Sequence, residues 1–298
     1  MLRAVVLTAL TSAGCLYGVS FGTGAGFDGK RAFEHVRQLV EIGPRPAGSP
    51  GAARAREYIA KQLGALGLAV EEQAFDAKTP LGVVRMVNLR ATFPSEPGAS
   101  GPRVLITSHY DTKLFEDFRF VGANDGGSST GFLIELARVL KGGKRPLPVE
   151  LVFFDGEEAV IDWYQGNDNT YGSRHYVETA RAGGRLKDIR AMILLDMIGD
   201  RDLRILRESN STPWLTDVIW TAAARAGRRE FVDEPLDVKD DHINFLMAGI
   251  PAVDIIDLDY PAWHTEGDTL DKVSADSLQV VGDVLLAALP QILDRVSK

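Results

Sequence analysis

The chain has one cysteine, no long apolar run and no excess of positive charge. Its 298 residues include only Cys15 as a thiol, so no internal disulfide can form and the fold must be stable without one. Lysine and arginine number 33 against 41 aspartate and glutamate residues, and the net charge of −8 argues against non-specific binding to nucleic acid. With 45% hydrophobic and 25% charged residues, the chain is long enough for one large globular domain.

The apolar run near the N-terminus is too short to span a bilayer. Arg3 precedes the apolar residues 4–10, and small residues and Cys15 follow, a pattern typical of a short bacterial secretion signal. We therefore expect residues 1–26 to be a signal peptide and tether and 27–298 to be a single domain. The protein would be exported to the periplasm or beyond, with no membrane span in the mature chain. Ser-Ala-Gly-Cys also resembles a lipoprotein cleavage box, so a lipid anchor at Cys15 is the alternative.

Predicted strands and helices alternate along the chain, with no internal repeat and no long linker. Buried strands are predicted at 104–108, 150–154, 191–196 and 252–256, and residues 68–75 and 84–93 form a predicted hairpin. Helices are predicted from Asp28 onward and over 51–66, 129–141 and 275–296. The pattern predicts a single α/β domain with a mixed, mainly parallel central sheet and helices on both faces.

Two adjacent carboxylates, Glu157 and Glu158, directly follow the most apolar predicted strand. In open α/β sheets, ligands bind at the carboxyl ends of the strands. Two neighbouring acids there would repel each other unless a cation neutralises one and the other serves proton transfer. The pattern therefore favours a metal-assisted site with one glutamate as ligand and the other as acid/base. An ordinary loop with two solvated acids is the alternative.

Other acids and histidines also follow predicted strands, and parallel strands would bring them to one edge of the sheet. The full set is His109, Asp125, Glu157, Glu158, Asp196 and His264. Catalytic zinc prefers imidazole and carboxylate ligands and keeps one position open, and Asp125, Glu158 and His264 would supply three such ligands. Taken alone, Asp125 could be a turn former, Asp196 a buried acid and His264 a packed histidine.

The chain resembles the zinc-dependent, M28-like peptidase family that contains single-domain aminopeptidases and animal-type glutaminyl cyclases. The resemblance covers residues 30–298, and its motifs occur in the expected order. The matching segments are Ser-His-Tyr-Asp at 108–111, Gly-Ala-Asn-Asp at 122–125, Phe-Phe-Asp-Gly-Glu-Glu-Ala at 153–159, Tyr-Gly-Ser-Arg-His at 171–175, Leu-Leu-Asp-Met-Ile-Gly at 194–199, Asp-Asp-His-Ile-Asn-Phe at 240–245 and Trp-His-Thr at 263–265.

Two functions are known on this framework, and both remain open at the level of metal ligands. The aminopeptidases hold two zinc ions, which here would be bound by His109, Asp125, Glu158, Asp196 and His264. The cyclases hold one zinc ion, and the resemblance implies Asp125, Glu158 and His264 as its ligands. Trp263 before the histidine, Asp240 before Asp241-His242, and Trp163 after the double glutamate all match the cyclases. These features favour a glutaminyl-peptide cyclotransferase, with the di-zinc aminopeptidase as the alternative.

The resemblance implies a role for each remaining residue of the predicted site. Glu157 would shuttle the proton, Asp196 and Asp240 would hold the leaving amide, and Trp163 and Trp263 would flank the glutamine side chain. The expected partners are peptides or proteins that begin with glutamine, with one Zn²⁺ per chain and a monomeric enzyme. The chain departs from the animal enzymes in lacking a disulfide near the site and in carrying Lys239 and Asp254 at positions that usually hold other residues.

Overall fold

A six-stranded sheet organises the described part of the chain, which is residues 26–95, 101–164 and 166–298 of a computed structural model. Its strands and those of a small second sheet are β1 Val70–Thr79, β2 Gly82–Phe93, β3 Arg103–His109, β4 Val149–Phe154, β5 Ile189–Asp196, β6 Ile205–Glu208, β7 Phe231–Leu236 and β8 Ala252–Ile256. The helices are α1 Gly29–Ile42, α2 Pro50–Ala65, α3 Gly127–Leu140, α4 Tyr171–Ala182, α5 Pro213–Arg225, α6 Asp241–Met247 and α7 Ala275–Val296. Residues 1–25, with the predicted signal segment and Cys15, lie outside the described residues.

The strands of the large sheet run in the order β1-β2-β4-β3-β5-β8. The inner ladder is parallel: β3 pairs with both β4 and β5, and β5 pairs with β8. The hairpin of β1 and β2 continues the sheet in antiparallel fashion along β4. The mixed, mainly parallel sheet predicted from the sequence is therefore confirmed, including the hairpin.

Helices cover both faces of this sheet. Every residue of its central strand, β4, is therefore buried. Leu151 and Phe153 point into the larger core, which also contains residues of α1, α2, α3, α5 and α7. Val152 and Phe154 point the other way, into a smaller core shared with α4 and α6. This alternation of two apolar faces along one strand is what the continuous run Leu-Val-Phe-Phe requires.

The predicted helix ends agree with the capping contacts. The side chain of Asp28 accepts hydrogen bonds from the backbone N–H groups of Lys30 and Arg31 at 2.9 and 3.2 Å, which satisfies two of the free donors at the start of α1. The C-terminal helix, α7, occupies the predicted range. By length and composition α7 could cross a membrane, but 61% of its most apolar window is buried inside the domain, as in a core helix of a globular protein.

The region between β5 and β8 contains structure that was not predicted. Strands β6 and β7 form a separate two-stranded parallel sheet whose register shifts between Ile205 and Arg207. Helix α5 connects the two strands in the chain, and α6 follows β7. Helix α6 begins directly after Asp240, whose side chain accepts a hydrogen bond from the backbone N–H of Asp241. The cap of this short helix therefore positions one of the predicted site residues.

Candidate active site

The predicted site residues come together at the carboxyl edge of the parallel strands. His109 is the last residue of β3 and Asp196 the last of β5, while Glu157 and Glu158 follow β4. The remaining members approach from loops: Asp125 precedes α3, His264 follows β8 and Asp240 precedes α6. Neighbouring parallel strands end at the same edge of a sheet, so residues far apart in sequence share one cleft.

Asp125, Glu158 and His264 place one ligand atom each within 4.8 Å of one another. The His264 Nε2 atom lies 3.2 Å from Glu158 Oε1 and 3.3 Å from Asp125 Oδ2. In a tetrahedral zinc site with bonds of about 2.0–2.2 Å, ligand atoms lie about 3.3–3.6 Å apart. The spacing of these three atoms therefore fits a single metal ion.

A second group of donors shares Asp125 with the first. The His109 Nε2 atom lies 3.3 Å from Asp125 Oδ1 and 3.1 Å from Asp196 Oδ1, and these three residues also satisfy the 4.8 Å limit. The two oxygens of Asp125 thus face different histidines. The ligand geometry is compatible with one metal ion or with two.

The charge balance of the cleft also fits a cation. The acids that line it are Asp125, Glu157, Glu158, Asp162, Asp196, Asp237 and Asp240, whereas its lysines are Lys113 and Lys239. Five of these acids are buried, with exposed fractions of 3–6%. Buried carboxylates in such excess favour a counter-charge, and a divalent ion bound by imidazole and carboxylate would supply it.

Burial and the histidine contacts together shift the pKa values of Asp125, Glu158 and His264. Burial raises the pKa of Glu158 to about 7, and the negative charge of Asp125 adds to that effect. Burial alone would raise the pKa of Asp125, but hydrogen bonds from His109 and His264 outweigh it and lower the value. Burial would lower the pKa of His264, yet its bonds to the two carboxylates raise it to about 10. The three side chains therefore form a tightly coupled charged cluster.

Glu157 lies beside this cluster without belonging to either donor group. Its Oε2 atom is 3.7 Å from His109 Nδ1, and the side chain lines the cleft with only 6% of the residue exposed. Burial raises the pKa of Glu157 well above its usual value, His109 opposes the shift, and the charges of Asp240 and Glu158 reinforce it. Such an environment keeps a carboxyl group ready to exchange a proton.

Asp240 and Asp196 line the same cleft as Glu157. Burial raises the pKa of Asp240 to about 6, and the charge of Asp196 adds to the shift. Behind Asp240, His242 is fully buried between Glu208, at 3.1 Å, and Asp254, at 3.5 Å. His242 therefore belongs to the scaffold that supports this wall.

The two predicted tryptophans line the same cleft. Trp263 is 43% exposed, and its ring stacks on His264 at 4.3 Å between centroids. Trp163 is half-buried, and its backbone carbonyl accepts a hydrogen bond from the Asn169 side chain at 2.8 Å. Both residues therefore line the cleft that contains the buried acids.

Asp111 and Asp268, which were not predicted as site residues, hold the ligand-bearing backbone. The Asp111 carboxylate accepts the N–H groups of Glu157 and Glu158 at 3.2 and 3.3 Å. Asp268 accepts the N–H of Asp125 at 3.1 Å and the hydroxyl of Tyr260 at 2.8 Å. Asp111 had a signal in its position two residues after His109, whereas no sequence pattern indicated Asp268.

A fully buried arginine, Arg45, supports the loop that leads to Asp125. Its guanidinium group donates to the backbone carbonyls of Leu39, Gly43, Tyr110, Val121 and Gly122 at 2.7–3.3 Å. Burial lowers the pKa of Arg45 to about 10, and the charges of Asp268, Asp111 and Asp125 oppose that shift. The predicted loop after α1 therefore contributes a structural cation beneath the site.

Backbone strain is concentrated beside two of the donors. His264 has φ +53° and Met197, directly after Asp196, has φ +45°. A non-glycine residue in this left-handed region costs on the order of 1–3 kcal/mol, and such residues cluster at functional sites. At Gly126, next to Asp125, φ is +70° and an added Cβ would lie 2.6 Å from the Asp111 carbonyl oxygen, so the close approach requires glycine.

A mixed sheet that gathers acids and histidines at its carboxyl edge defines a zinc-exopeptidase type of fold and site. The chain belongs to peptidase family M28, whose model matches residues 88–289. That span contains every predicted metal ligand. The family resemblance drawn from the sequence motifs is thus confirmed.

Within this family the chain is similar to glutaminyl cyclases. A glutaminyl-peptide cyclotransferase of Drosophila melanogaster is 30% identical over 293 residues, which cover 87% of this chain and 81% of that protein. The crystal structure of an Acidobacteriales bacterium glutaminyl cyclase matches with a TM-score of 0.85 and 38% identity, covering 98% of this chain and 100% of the other. A leucine aminopeptidase precursor from Bacteroides thetaiotaomicron VPI-5482 matches with a TM-score of 0.80 and 28% identity, covering 89% and 97%.

Proposed function

We propose that this protein is a glutaminyl-peptide cyclotransferase, which converts the N-terminal glutamine of a peptide to pyroglutamate and releases ammonia. One observation carries the proposal beyond the similarity to cyclases. A buried carboxylate, Glu157, lines the same cleft as Trp163 and Trp263 and lies outside the group of three residues that could hold a metal ion. This arrangement supplies a proton carrier and a shaped site for a small side chain.

The reaction is intramolecular and needs no external nucleophile. The free α-amine nitrogen attacks the γ-carbonyl carbon, a C–N bond forms to close the five-membered lactam, and the bond from that carbon to the amide nitrogen breaks. Glu157 accepts a proton from the attacking amine and returns it to the departing nitrogen, which leaves as ammonia. The proton that the amine loses is the proton that the ammonia gains, and Glu157 carries it between them.

The other residues bind and orient the substrate. Asp196 and Asp240, which line the same cleft as Glu157, would hold the leaving amide group through its N–H donors. Trp163 and Trp263 would flank the glutamine methylenes and keep amine and carbonyl within attacking distance. A zinc ion held by Asp125, Glu158 and His264, at one per chain, would polarise the γ-carbonyl as a Lewis acid.

The di-zinc aminopeptidase is the second candidate, and one observation favours it. His109, Asp125 and Asp196 form a further donor group that shares Asp125 with the first. An aminopeptidase precursor also has the same fold. Against it stand the cyclase relatives and the two tryptophans that line the cleft.

Incubation of the purified protein with the peptide Gln-Ala-Ala-amide tests the proposal. Cyclisation releases ammonia and lowers the peptide mass by that of one ammonia while the chain stays intact. A peptidase instead releases free glutamine and a shortened peptide, an outcome that would reject the cyclase. Metal analysis of the same sample is expected to give about one zinc per chain, and two would favour the peptidase.

The cellular context extends the same proposal. The apolar run after Arg3 supports export, so the substrates would be peptides or proteins outside the cytoplasm. The catalytic unit would be a single domain at 27–298 that acts as a monomer. Lipid attachment through Cys15 is the alternative to a released form. Mass spectrometry of the mature N-terminus distinguishes the two.

A further inference from the structure

The cleft has more room than a single glutamine requires. Its volume is about 530 Å³, within the range of about 300–1,000 Å³ that is typical of pockets for drug-sized ligands. The buried acids and His264 occupy its floor, where the N-terminal residue must bind. Because a peptide continues from the carbonyl of its first residue, the second residue must lie toward the open mouth of the cleft.

Exposed apolar side chains border that mouth. Ile161 is 56% exposed, Tyr164 is 89% exposed and Trp263 is 43% exposed, and all three line the cleft. We call these three residues the apolar rim. None of them belongs to a hydrophobic core cluster of the described residues. Clustered exposed apolar groups beside a binding cleft are typical of a surface that contacts a ligand.

The loop that carries Ile161 and Tyr164 is fixed at its base. The Asp168 carboxylate accepts the backbone N–H groups of Val160, Ile161 and Asp162 at 2.7–3.2 Å, and it accepts the hydroxyl of Tyr171 at 2.6 Å. Burial would raise the pKa of Asp168, but these hydrogen bonds outweigh it and lower the value. The backbone that carries Ile161 is thus held in place before substrate arrives, so less ordering of this loop opposes binding.

The charges at the mouth of the cleft are of both signs. Asp237 and Lys239 are both exposed and both line the cleft. Exposed charges of both signs favour neither an acidic nor a basic second residue strongly, and exposed ion contacts contribute little. Apolar contact is therefore the strongest discriminating interaction available to the second side chain.

We propose that the apolar rim binds the side chain of the residue that follows glutamine and so selects peptides with a large apolar second residue. This inference rests on the proposed cyclase function. Ile161 and Tyr164 determine the preference, while Trp263 also flanks the glutamine. The expected preference is about tenfold in kcat/KM, as for the burial of one apolar side chain in a half-open subsite.

The test measures ammonia release from the peptides Gln-Xaa-Ala-amide, with phenylalanine, leucine, alanine, serine or glycine as the second residue. The wild-type protein is expected to use the phenylalanine and leucine peptides about tenfold more efficiently than the serine peptide. In Ile161→Ser and Tyr164→Ser the ratio of kcat/KM for the phenylalanine or leucine peptide to that for the serine peptide is expected to fall to about threefold. In the double variant this ratio is expected to fall to near one. Efficiency toward the glycine peptide is expected to stay within about twofold of wild type. Leu81→Ser, an equally exposed apolar site in the turn between β1 and β2, is the matched control and should keep the wild-type ratio.

The outcomes separate this inference from the function on which it rests. Equal efficiency for all five peptides in the wild type, or an unchanged ratio in the double variant, would overturn the subsite and leave the cyclase standing. An equal fall for every peptide in the two variants would also overturn it, because it would indicate a general loss of activity. No ammonia from any peptide would reject the cyclase and the subsite together.

Discussion

Replacement of Glu157 by glutamine is expected to abolish turnover without loss of the metal. Glutamine has nearly the same shape and fills the same buried space, but its amide cannot accept the amine proton. General acid–base catalysis contributes about 10²–10⁴ in rate, which corresponds to about 3–5 kcal/mol of transition-state stabilisation. Because Glu157 both accepts and returns the proton, we expect kcat to fall by about 10³–10⁴.

The structure predicts that this variant stays folded. The backbone N–H of residue 157 is held by Asp111, a contact that the substitution does not change. Removal of the charge also relieves the repulsion from Glu158 and Asp240 that helps to raise the pKa of Glu157. The melting temperature of Glu157→Gln should therefore equal or exceed that of the wild type.

Ammonia release from Gln-Ala-Ala-amide, metal content and melting temperature are the measurements for this prediction. Glu158→Gln is the contrasting variant and is expected to lose both activity and zinc, whereas the exposed Glu266→Gln should behave like the wild type. Activity of Glu157→Gln within about tenfold of wild type would refute the proton-shuttle role. Loss of zinc from Glu157→Gln would show that this side chain is a ligand.

Three further predictions concern stability. Burial, with a contribution from Arg31, lowers the pKa of His35 to about 4, so the neutral ring that contacts the Tyr58 hydroxyl at 2.7 Å is favoured in the fold. The stability that the neutral His35 ring contributes is fully present above pH 6.5, and it is lost as the pH falls toward 4. Urea unfolding should show that the free energy of unfolding falls by about 1–2 kcal/mol between pH 7 and 5, a loss that is absent in His35→Gln. An equal change of the free energy of unfolding with pH in both proteins would contradict this prediction. Arg45→Met leaves five buried carbonyls without their donor and should lower the free energy of unfolding by about 3–5 kcal/mol, whereas the exposed Arg54→Met should change it by less than about 0.5 kcal/mol. Dialysis against a chelator should lower stability by about 3 kcal/mol, with recovery on addition of zinc, and an unchanged melting temperature would argue against a bound metal.

The sequence predicted the parts of the fold in which burial leaves a strong periodic signal. Strand β8 and helix α7 lie at the predicted residues, and β4 differs by a single residue at its start. A strand such as β4 is apolar on both faces because helices cover both sides of the sheet. Its composition alone is therefore enough to identify it.

No strand or helix was predicted between Asp196 and Ala252, and the structure shows why the small sheet was missed. Strand β6 has only four residues, and half of them, Arg207 and Glu208, are charged. Half of the residues of strand β7 are exposed, and the strand contains Pro235. Such strands have too few apolar residues to produce an alternating pattern, and their pairing depends on the surrounding chain.

The convergence of the candidate ligands could be predicted from the sequence, whereas the residues that support them could not. The ligand candidates occur in motifs that end buried strands, and their donor atoms do converge. The roles assigned to Glu157, Asp196, Asp240 and the tryptophans stay predictions until variants are assayed. Arg45 and Asp268 act on backbone groups brought close only by the tertiary fold. No local pattern in the sequence could reveal them.

The distance along the chain between Asp125 and His264 has a consequence for biogenesis. A nascent polypeptide has all its acidic ligands long before the imidazole that completes the set is synthesised. A metal ion bound by all three residues can therefore be captured only after nearly the whole chain has been synthesised. Binding of the ion then closes a long loop of the chain, and this lowers the entropy of the unfolded state as a cross-link does. If the chain is exported unfolded, as proposed, zinc would be acquired at the destination rather than carried along.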